Sequence, residues 1–279
     1  MKVLFVADFF RDQLPGGGES NDANLIHYLE SKGVHVDKLN SEDVSPADIE
    51  GYSRVIIGNF GFLPQESMST LIKKGNYIIY EHDHKYLKTR DPSQFVNFEP
   101  PQSQIINSEF YENAQVVVVL SDICKKVLKK CIPSATVHSI GCSLWSLETL
   151  NYIEFLSSVE KVHDYCIMKS GNPVKNYAHT RMFCDSKGIQ PLEIQSSQYH
   201  EFLQLMSESK AFIFFPTVLE TFSRVCAEAK MLNLDVHTMK KLVGFYSESY
   251  SSLKGAELIK IIREQNKLAY EYFHDKVTS

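Results

Sequence analysis

The segment "FFPTVLETFSRVCAEAKMLNLDVHT", Phe214 to Thr238, sets two carboxylates, Glu220 and Glu228, eight positions apart across a strand-to-helix junction. Two readings fit that spacing. Either Glu228 is a solvated helix residue and Glu220 a capping acid, or both carboxylates grip one ligand laid along the start of the helix. Further candidates lie elsewhere. Lys175, in "IMKSGNPVKNYAHT", follows an apolar run and opens a helical pattern, and Lys169 is the nearest cation upstream. A lysine neutralises phosphate as a point charge but lacks the guanidinium fork. Gly16, Gly17 and Gly18, in "LPGGGESND", separate a first strand from a helix. Backbone without side chains can approach a phosphate or a sugar there, although the spacing is not the dinucleotide-binding one. His82 and His84, in "YIIYEHDHKYLKTRD", follow another strand pattern, and strand alternation puts both on one side. A metal site made of His82, Asp83 and His84 fits poorly, because adjacent strand residues diverge. Beyond them, Lys85, Lys88 and Arg90 interleave with Tyr86, Phe95 and Phe98. Cations with aromatics suit a phosphate-bearing or base-stacking ligand, and they equally suit a loop folded over its own small core.

The elements that must position these residues read clearly. Short runs rich in Val and Ile ("VLFVADFF", "VHVDKL", "RVIIGNF", "NYIIYEHD", "VVVVLS", "TVHSIG") alternate with helical patterns. Strands apolar on both faces suit a parallel sheet covered by helices, an α/β, doubly wound arrangement. In "SNDANLIHYLESKG", Ser20 offers an N-cap and Gly33 a stop. A second series, "DYCIMKSG", "PLEIQ", "AFIFFP" and "LDVHT" with helices between, restarts the count near residue 160, so two domains are expected with a boundary within 142–160. The last helical pattern, about 258–279, is long enough to pack back on the first domain. The segment "KYLKTRDPSQFVNFEPPQSQ" carries no element signal. A structureless stretch of that length in a compact protein is usually functional or mobile.

Composition bounds the function. A chain of 279 residues with 43% hydrophobic and 23% charged residues is that of an ordinary globular protein, and a net charge of -5 predicts no global attraction to nucleic acid or anionic membrane. A local basic patch stays open. No apolar run reaches the roughly 18 residues of a membrane span, and "MKVLFVADFFRD" reads as a first strand rather than a signal peptide. The six cysteines lack C-x-x-C spacing and read as reduced thiols of a cytoplasmic protein, host cytoplasm if the chain is viral.

The Glu220-to-Glu228 stretch resembles the E-x7-E signature of retaining GT-B glycosyltransferases of the group 1 (family 4) class, in a compact form like those of phages and environmental bacteria. Phe222, both glutamates, Ala229 and Val236 match the family pattern in register, while Thr221 and Ser223 stand where the family has glycines and Asn233 where it has a helix-ending glycine. Lys175-Asn176 resembles the family's Lys-Gly, but the preceding arginine is missing. The resemblance implies the fold class α/β, GT-B, with two Rossmann-like domains facing a central cleft. Residues 1–145 would be the acceptor side, joined by the helix at about 258–279, and residues 146–257 would bind the donor. It implies a donor sugar held by Glu220, a ribose by Glu228, and a diphosphate by Lys175, Lys169, Thr221, Ser223 and the glycine loop, with Phe222 beside them. His82 or His84 would face the donor sugar, and Lys85, Lys88 and Arg90 the acceptor. No cofactor and no metal is required. The implied function is sugar transfer, with retention, from a nucleoside-diphosphate sugar, UDP-sugar foremost, to the hydroxyl of a glycan, a lipid-linked sugar or a hydroxymethylated base in phage DNA. A sugar-nucleotide epimerase of the same fold and a non-catalytic nucleotide-sugar binding module are the alternatives.

Overall fold

The computed structural model describes residues 1–196 and 198–279. Two compact units emerge, Met1–Trp145 with Gln265–Ser279, and Ser146–Glu264. In chain order the first contains β1 (Lys2–Ala7), α1 (Gly17–Ser31), β2 (His35–Asn40), α2 (Pro46–Glu50), β3 (Arg54–Ile57), α3 (Gln65–Lys74), β4 (Tyr77–Glu81), α4 (Ser108–Glu112), β5 (Val116–Val119), α5 (Asp122–Cys131) and β6 (Val137–Ser139). The second contains α6 (Leu147–Leu156), β7 (His163–Met168), α7 (Tyr177–Ser186), β8 (Leu192–Ile194), α8 (Tyr199–Ser207), β9 (Ser209–Phe214), α9 (Arg224–Met231) and β10 (Asp235–Thr238). The terminal helix α10 (Gly255–Thr278) gives its first turns to the second unit and the rest to the first.

Both sheets are wholly parallel, ordered β2-β1-β3-β4-β5-β6 and β10-β9-β7-β8. Parallel strands are covered on both faces, which is why Val3 to Ala7 and Val116 to Val119 are buried without alternation. The edge strand β10 alternates instead, with Asp235 and His237 exposed. In the first sheet the chain steps from β1 to β2 and then returns past β1 to β3. In the second it steps from β7 to β8 and returns past β7 to β9. Each reversal opens a crevice at the carboxyl ends of two adjacent strands, the place where open α/β sheets bind ligands.

The helix α1 ends where its sequence says, but starts earlier. At its end Gly33 is left-handed, φ 79°, and its N–H and that of Val34 reach Glu30 O and Leu29 O at 2.9 and 3.1 Å, a Schellman close. At its start Gly16, not Ser20, is the N-cap. Ser20 lies inside the first turn and donates its hydroxyl back to Gly16 O at 2.7 Å. The expected structureless stretch after β4 is ordered too. It holds three short 3-10 turns, Pro92–Gln94, Val96–Phe98 and Gln102–Gln104, and Leu87 bridges Ile105. Tyr86 and Leu87 are buried beneath it. Tyr86 therefore belongs to the core and is not a stacking surface.

The last turns of α10 complete the first unit. Asn266 accepts from Trp145 N at 2.8 Å and donates to Ser143 O at 3.0 Å, while Phe273 meets Tyr80 edge-on at 4.8 Å. Among the described residues no helix is long and apolar enough to cross a membrane. The six cysteines are buried free thiols, and burial pushes Cys166 and Cys226 up to about 12.

Nothing lies within 4 Å of where a side chain on Gly33 would begin. Gly33→Ala therefore tests backbone conformation alone. It should cost about 1–2 kcal/mol, read as a fall of a few degrees in Tm; an unchanged Tm would show that the left-handed close is not needed.

Candidate active site

At the β7/β9 reversal, two loops are stitched together before any side chain is considered. Thr217 N donates to Val174 O at 3.1 Å, and Asn176 Nδ2 to Phe215 O at 3.0 Å. Asn176 is left-handed, φ 51°, as the family's glycine at that place would allow. The stitch brings Lys175 to Glu220. The ammonium sits 2.7 and 2.9 Å from the two carboxylate oxygens and 5.9 Å over the Phe214 ring. Glu220 is itself pinned by its backbone, which accepts from Gly244 N and donates to Leu242 O, both at 2.9 Å.

Phe222 is buried, its ring edge-on to Phe245 at 5.7 Å and its carbonyl bonded to Phe245 N at 2.8 Å. It anchors the loop and offers no surface to a donor. Thr221 is half-buried beside it. Ser223 immediately precedes α9 with φ 66° and ψ 80°, a conformation that glycine adopts at little cost and serine does not. The helix closes on Asn233, φ 68°, with Leu234 N on Ala229 O at 2.9 Å and Asn233 N on Lys230 O at 3.1 Å. Asparagine thus does the work of the family's glycine.

Glu228 is buried and rigidly held. Tyr199 donates its hydroxyl to Oε1, and Arg224 Nε lies 3.5 Å from the same oxygen. Burial, and then the Glu228 charge, push the Tyr199 phenol up, with Arg224 opposing. The solvated-helix reading of Glu228 is therefore removed. Arg224 was not singled out in the sequence, although its place four residues before Glu228 on one helix face was a readable signal. Lys169 goes elsewhere. It faces Glu193 on β8 at 3.8 Å, a carboxylate that also receives Tyr177 and Arg181, on the opposite side of β7 from Glu220.

In the first unit, Gly16, Gly17 and Gly18 form the cap and first turn of α1, and none has positive φ. Their use is space. A Cβ on Gly18 would lie 3.5 Å from the His82 ring, and one on Gly16 would collide with the Glu19 carboxylate at 2.1 Å. The Glu19 carboxylate thus lies over the helix start, where an anion would bind, and burial raises its pKa.

His82 and His84 do not share a side. The strand β4 ends at Glu81, and His84 is left-handed, φ 56°, so alternation stops before either residue. His84 is buried against Tyr86, Nδ1 to hydroxyl 2.9 Å. His82 is buried by the glycine turn, with Nε2 2.8 Å from Asp22 Oδ1. Lys85 is also not a surface cation. It is buried, with its ammonium on Asn59 and Asp83, while Glu81 accepts from Asp83 N, Lys85 N and Tyr111. Lys88 and Arg90 are exposed, and Arg90 lies 3.5 Å from Asp83. Asp22 was missed. It falls three and four residues before Leu25 and Ile26, a carboxylate on the apolar stripe of α1.

No family model and no curated protein sequence matches the chain. Solved structures do. An α-glucosyltransferase in complex with UDP and a 13-mer DNA containing an HMU base matches with TM-score 0.53 and 13% identity, over 99% of this chain and 94% of that one. HepE of Anabaena in complex with UDP and glucose matches with TM-score 0.54 and 12% identity, over 99% and 92%. OtsA without ligand matches with TM-score 0.57 and 8% identity, over 100% and 99%. The chain has the GT-B fold. In this chain both reversal crevices carry chemistry-bearing residues, and the two lie in different units.

Two predictions follow from this geometry. Burial alone lowers the His82 pKa, but the Asp22 charge and hydrogen bond outweigh it, with Lys85 opposing and Asp83 assisting, and the net direction is up. A raised folded-state pKa stabilises fully below the unfolded value of about 6.5, and that stabilisation is lost as pH rises through the folded pKa. The stability difference between wild type and Asp22→Asn should therefore be largest in acid and shrink towards alkaline pH. A difference independent of pH would show that the pair carries no extra proton. Separately, Ser223→Gly should relieve the left-handed backbone and gain about 1 kcal/mol, measured by thermal or urea unfolding; a loss of stability would mean that the serine side chain does more than its backbone costs.

Proposed function

We propose that the protein is a retaining glycosyltransferase that moves a sugar from a UDP-sugar to an acceptor hydroxyl. The observation that carries this reading is the Lys175–Glu220 pair, held at the β7/β9 reversal just before the start of α9. The two charges satisfy each other. An entering donor separates them: the diphosphate takes the Lys175 ammonium and the helix start, and the sugar hydroxyls donate to Glu220. The buried Glu228, oriented by Tyr199 and Arg224, accepts from the ribose hydroxyls. The residues 146–264 are accordingly the donor-binding domain, and the first unit supplies the acceptor surface.

As the glycosidic bond breaks, negative charge grows on the leaving phosphate. Lys175 and the α9 N–H groups stabilise it where it develops. The departing phosphate takes the acceptor proton on the same face, so no protein nucleophile is required. His82, its ring fixed by Asp22, is buried beside the glycine turn of the first unit. UDP as the nucleotide is supported by its presence in the α-glucosyltransferase and HepE structures. The acceptor is the hydroxyl of a glycan or lipid-linked sugar, or of a hydroxymethylated base, the latter suggested by the DNA-bound α-glucosyltransferase. A cytoplasmic setting agrees with the free thiols.

The test is nucleotide binding followed by turnover. At 100 times its dissociation constant UDP should add about 2.7 kcal/mol, a shift of several degrees in Tm. The shift should be lost in Glu228→Ala. In Glu220→Ala it should persist while sugar transfer is abolished. Transfer at the wild-type rate in Glu220→Ala would overturn the assignment; UDP binding with UDP-sugar isomerised in the absence of acceptor would establish an epimerase, and binding without any turnover a binding module.

A further inference from the structure

Two phenylalanines at the β1/β3 reversal stand in water where nothing in the first unit's core requires them. Phe9 is 42% exposed and Phe62 57% exposed, and their rings meet edge-on at 6.1 Å and 82°. Their sequence neighbours behave oppositely. Phe10 is buried against Phe5, and Phe60 is buried against Phe110 and Tyr111. Each loop therefore sends one ring inward as an anchor and one outward.

The outward pair is held in place. Asp8, directly after β1, accepts from Gly61 N at 3.0 Å through Oδ2, and from Phe62 N at 3.3 Å and the Ser41 hydroxyl at 2.5 Å through Oδ1. Gly61 lies close under both side chains, since a Cβ there would lie 2.9 Å from the Asp8 carboxylate and 3.0 Å from the Arg90 guanidinium and would have to displace them. Arg90 in turn reaches Asp83, the neighbour of His82. An exposed apolar pair on a pinned loop, at the carboxyl ends of the two strands that flank the reversal, marks a ligand surface rather than a packing accident.

Resting on the transferase reading, we propose that Phe9 and Phe62 are the ring-binding platform of the acceptor site, and that the ring is the uncharged pyranose of a glycan. A pyranose offers a C–H face to aromatic rings and hydroxyls to the polar groups around them. The charge around the platform favours it over a nucleotide. Arg11 is followed by Asp12, Arg90 is paired with Asp83, and Ser41 is followed by exposed Glu42 and Asp43. Binding a phosphate backbone requires a surplus of cations, and this surface has none.

The platform can be read directly by fluorescence. Trp145, the sole tryptophan, is buried, so Phe62→Trp places a reporter on the surface that dominates any ligand-induced change. The full chain carrying Phe62→Trp is titrated with maltose, cellobiose and lactose, and with a short oligothymidylate, at about 50 and 200 mM salt. The expected result is a saturable change with at least one disaccharide, the same at both salts, and weakened roughly tenfold or more when Phe9→Ala is added. Silence with every disaccharide, or a response to the oligonucleotide that falls steeply with salt, overturns the proposal. The UDP thermal shift measured on the same protein is a separate readout. A disaccharide response without a UDP shift removes the donor reading and leaves the platform, whereas a UDP shift with a silent tryptophan removes the platform and leaves the donor reading.

Discussion

The constraint on which the rest depends is that every strand of both sheets is parallel. A parallel ladder forces each connection to leave from the carboxyl end and return over a face, so all carboxyl ends of one sheet lie along one rim. The sheet faces are then taken by helices, and only the rim can carry polar work. Residues such as Val116 to Val119 have no choice but burial, whereas Asp8, Asn59, Lys175 and Glu220, a few positions past their strands, have partners across the rim. The order of the strands adds the second constraint. Because β1 and β3, and β7 and β9, are neighbours whose connections diverge, the rim opens between them, and the groups named here gather at those openings.

Charges at these openings are held against each other. Lys175 faces Glu220, Glu19 folds over the glycine start of α1, and Asp22 holds His82. A buried or half-buried charge without a partner is costly, and the Lys175–Glu220 and Asp22–His82 pairs meet that cost within the chain. Under the proposed reading, a diphosphate and a hydroxyl-bearing sugar would together replace both halves of the Lys175–Glu220 pair, so that neither charge is left stranded.

The strands were legible because burial on both faces leaves runs of Val and Ile that no surface helix shows, and Gly33 was legible because only a left-handed close explains it. What the sequence concealed was side-chain direction outside regular elements. His82 and His84 were read as if β4 continued, but at φ 56° His84 leaves the strand and alternation ends. Lys85 was open to two readings, an acceptor contact and part of a loop folded over its own small core, and Asn59, Asp83 and the Phe60 ring satisfy it inside. Ser20 lost the cap to Gly16 because glycine is an acceptable N-cap, and because Glu19 could then fold over the unfilled space. The Lys85 outcome comes from partners far along the chain, Asn59 and the Phe60 ring, whereas the His84 and Ser20 errors come from local backbone geometry that residue types alone do not report.

Most of the departures from the signature that the chain resembles share one physical feature. Of the four places where that signature has glycine, this chain has left-handed residues at three, Asn176, Ser223 and Asn233, at 51°, 66° and 68°, while Thr221 is not left-handed. A backbone path that glycine adopts at little cost is adopted here by other residues. Asparagine reaches that conformation cheaply; serine does not. The strained position is thus the one immediately before α9, next to the loop that carries Glu220. The arginine absent from the β7 side has no replacement in Lys169, which is turned to Glu193. A guanidinium does stand at the first turn of α9, in Arg224, but it is folded back on Glu228 and Tyr199. Under the proposed reading, the positive charge offered to a diphosphate would come from Lys175 and from the helix start, whose first N–H groups are aimed by the left-handed Ser223 turn.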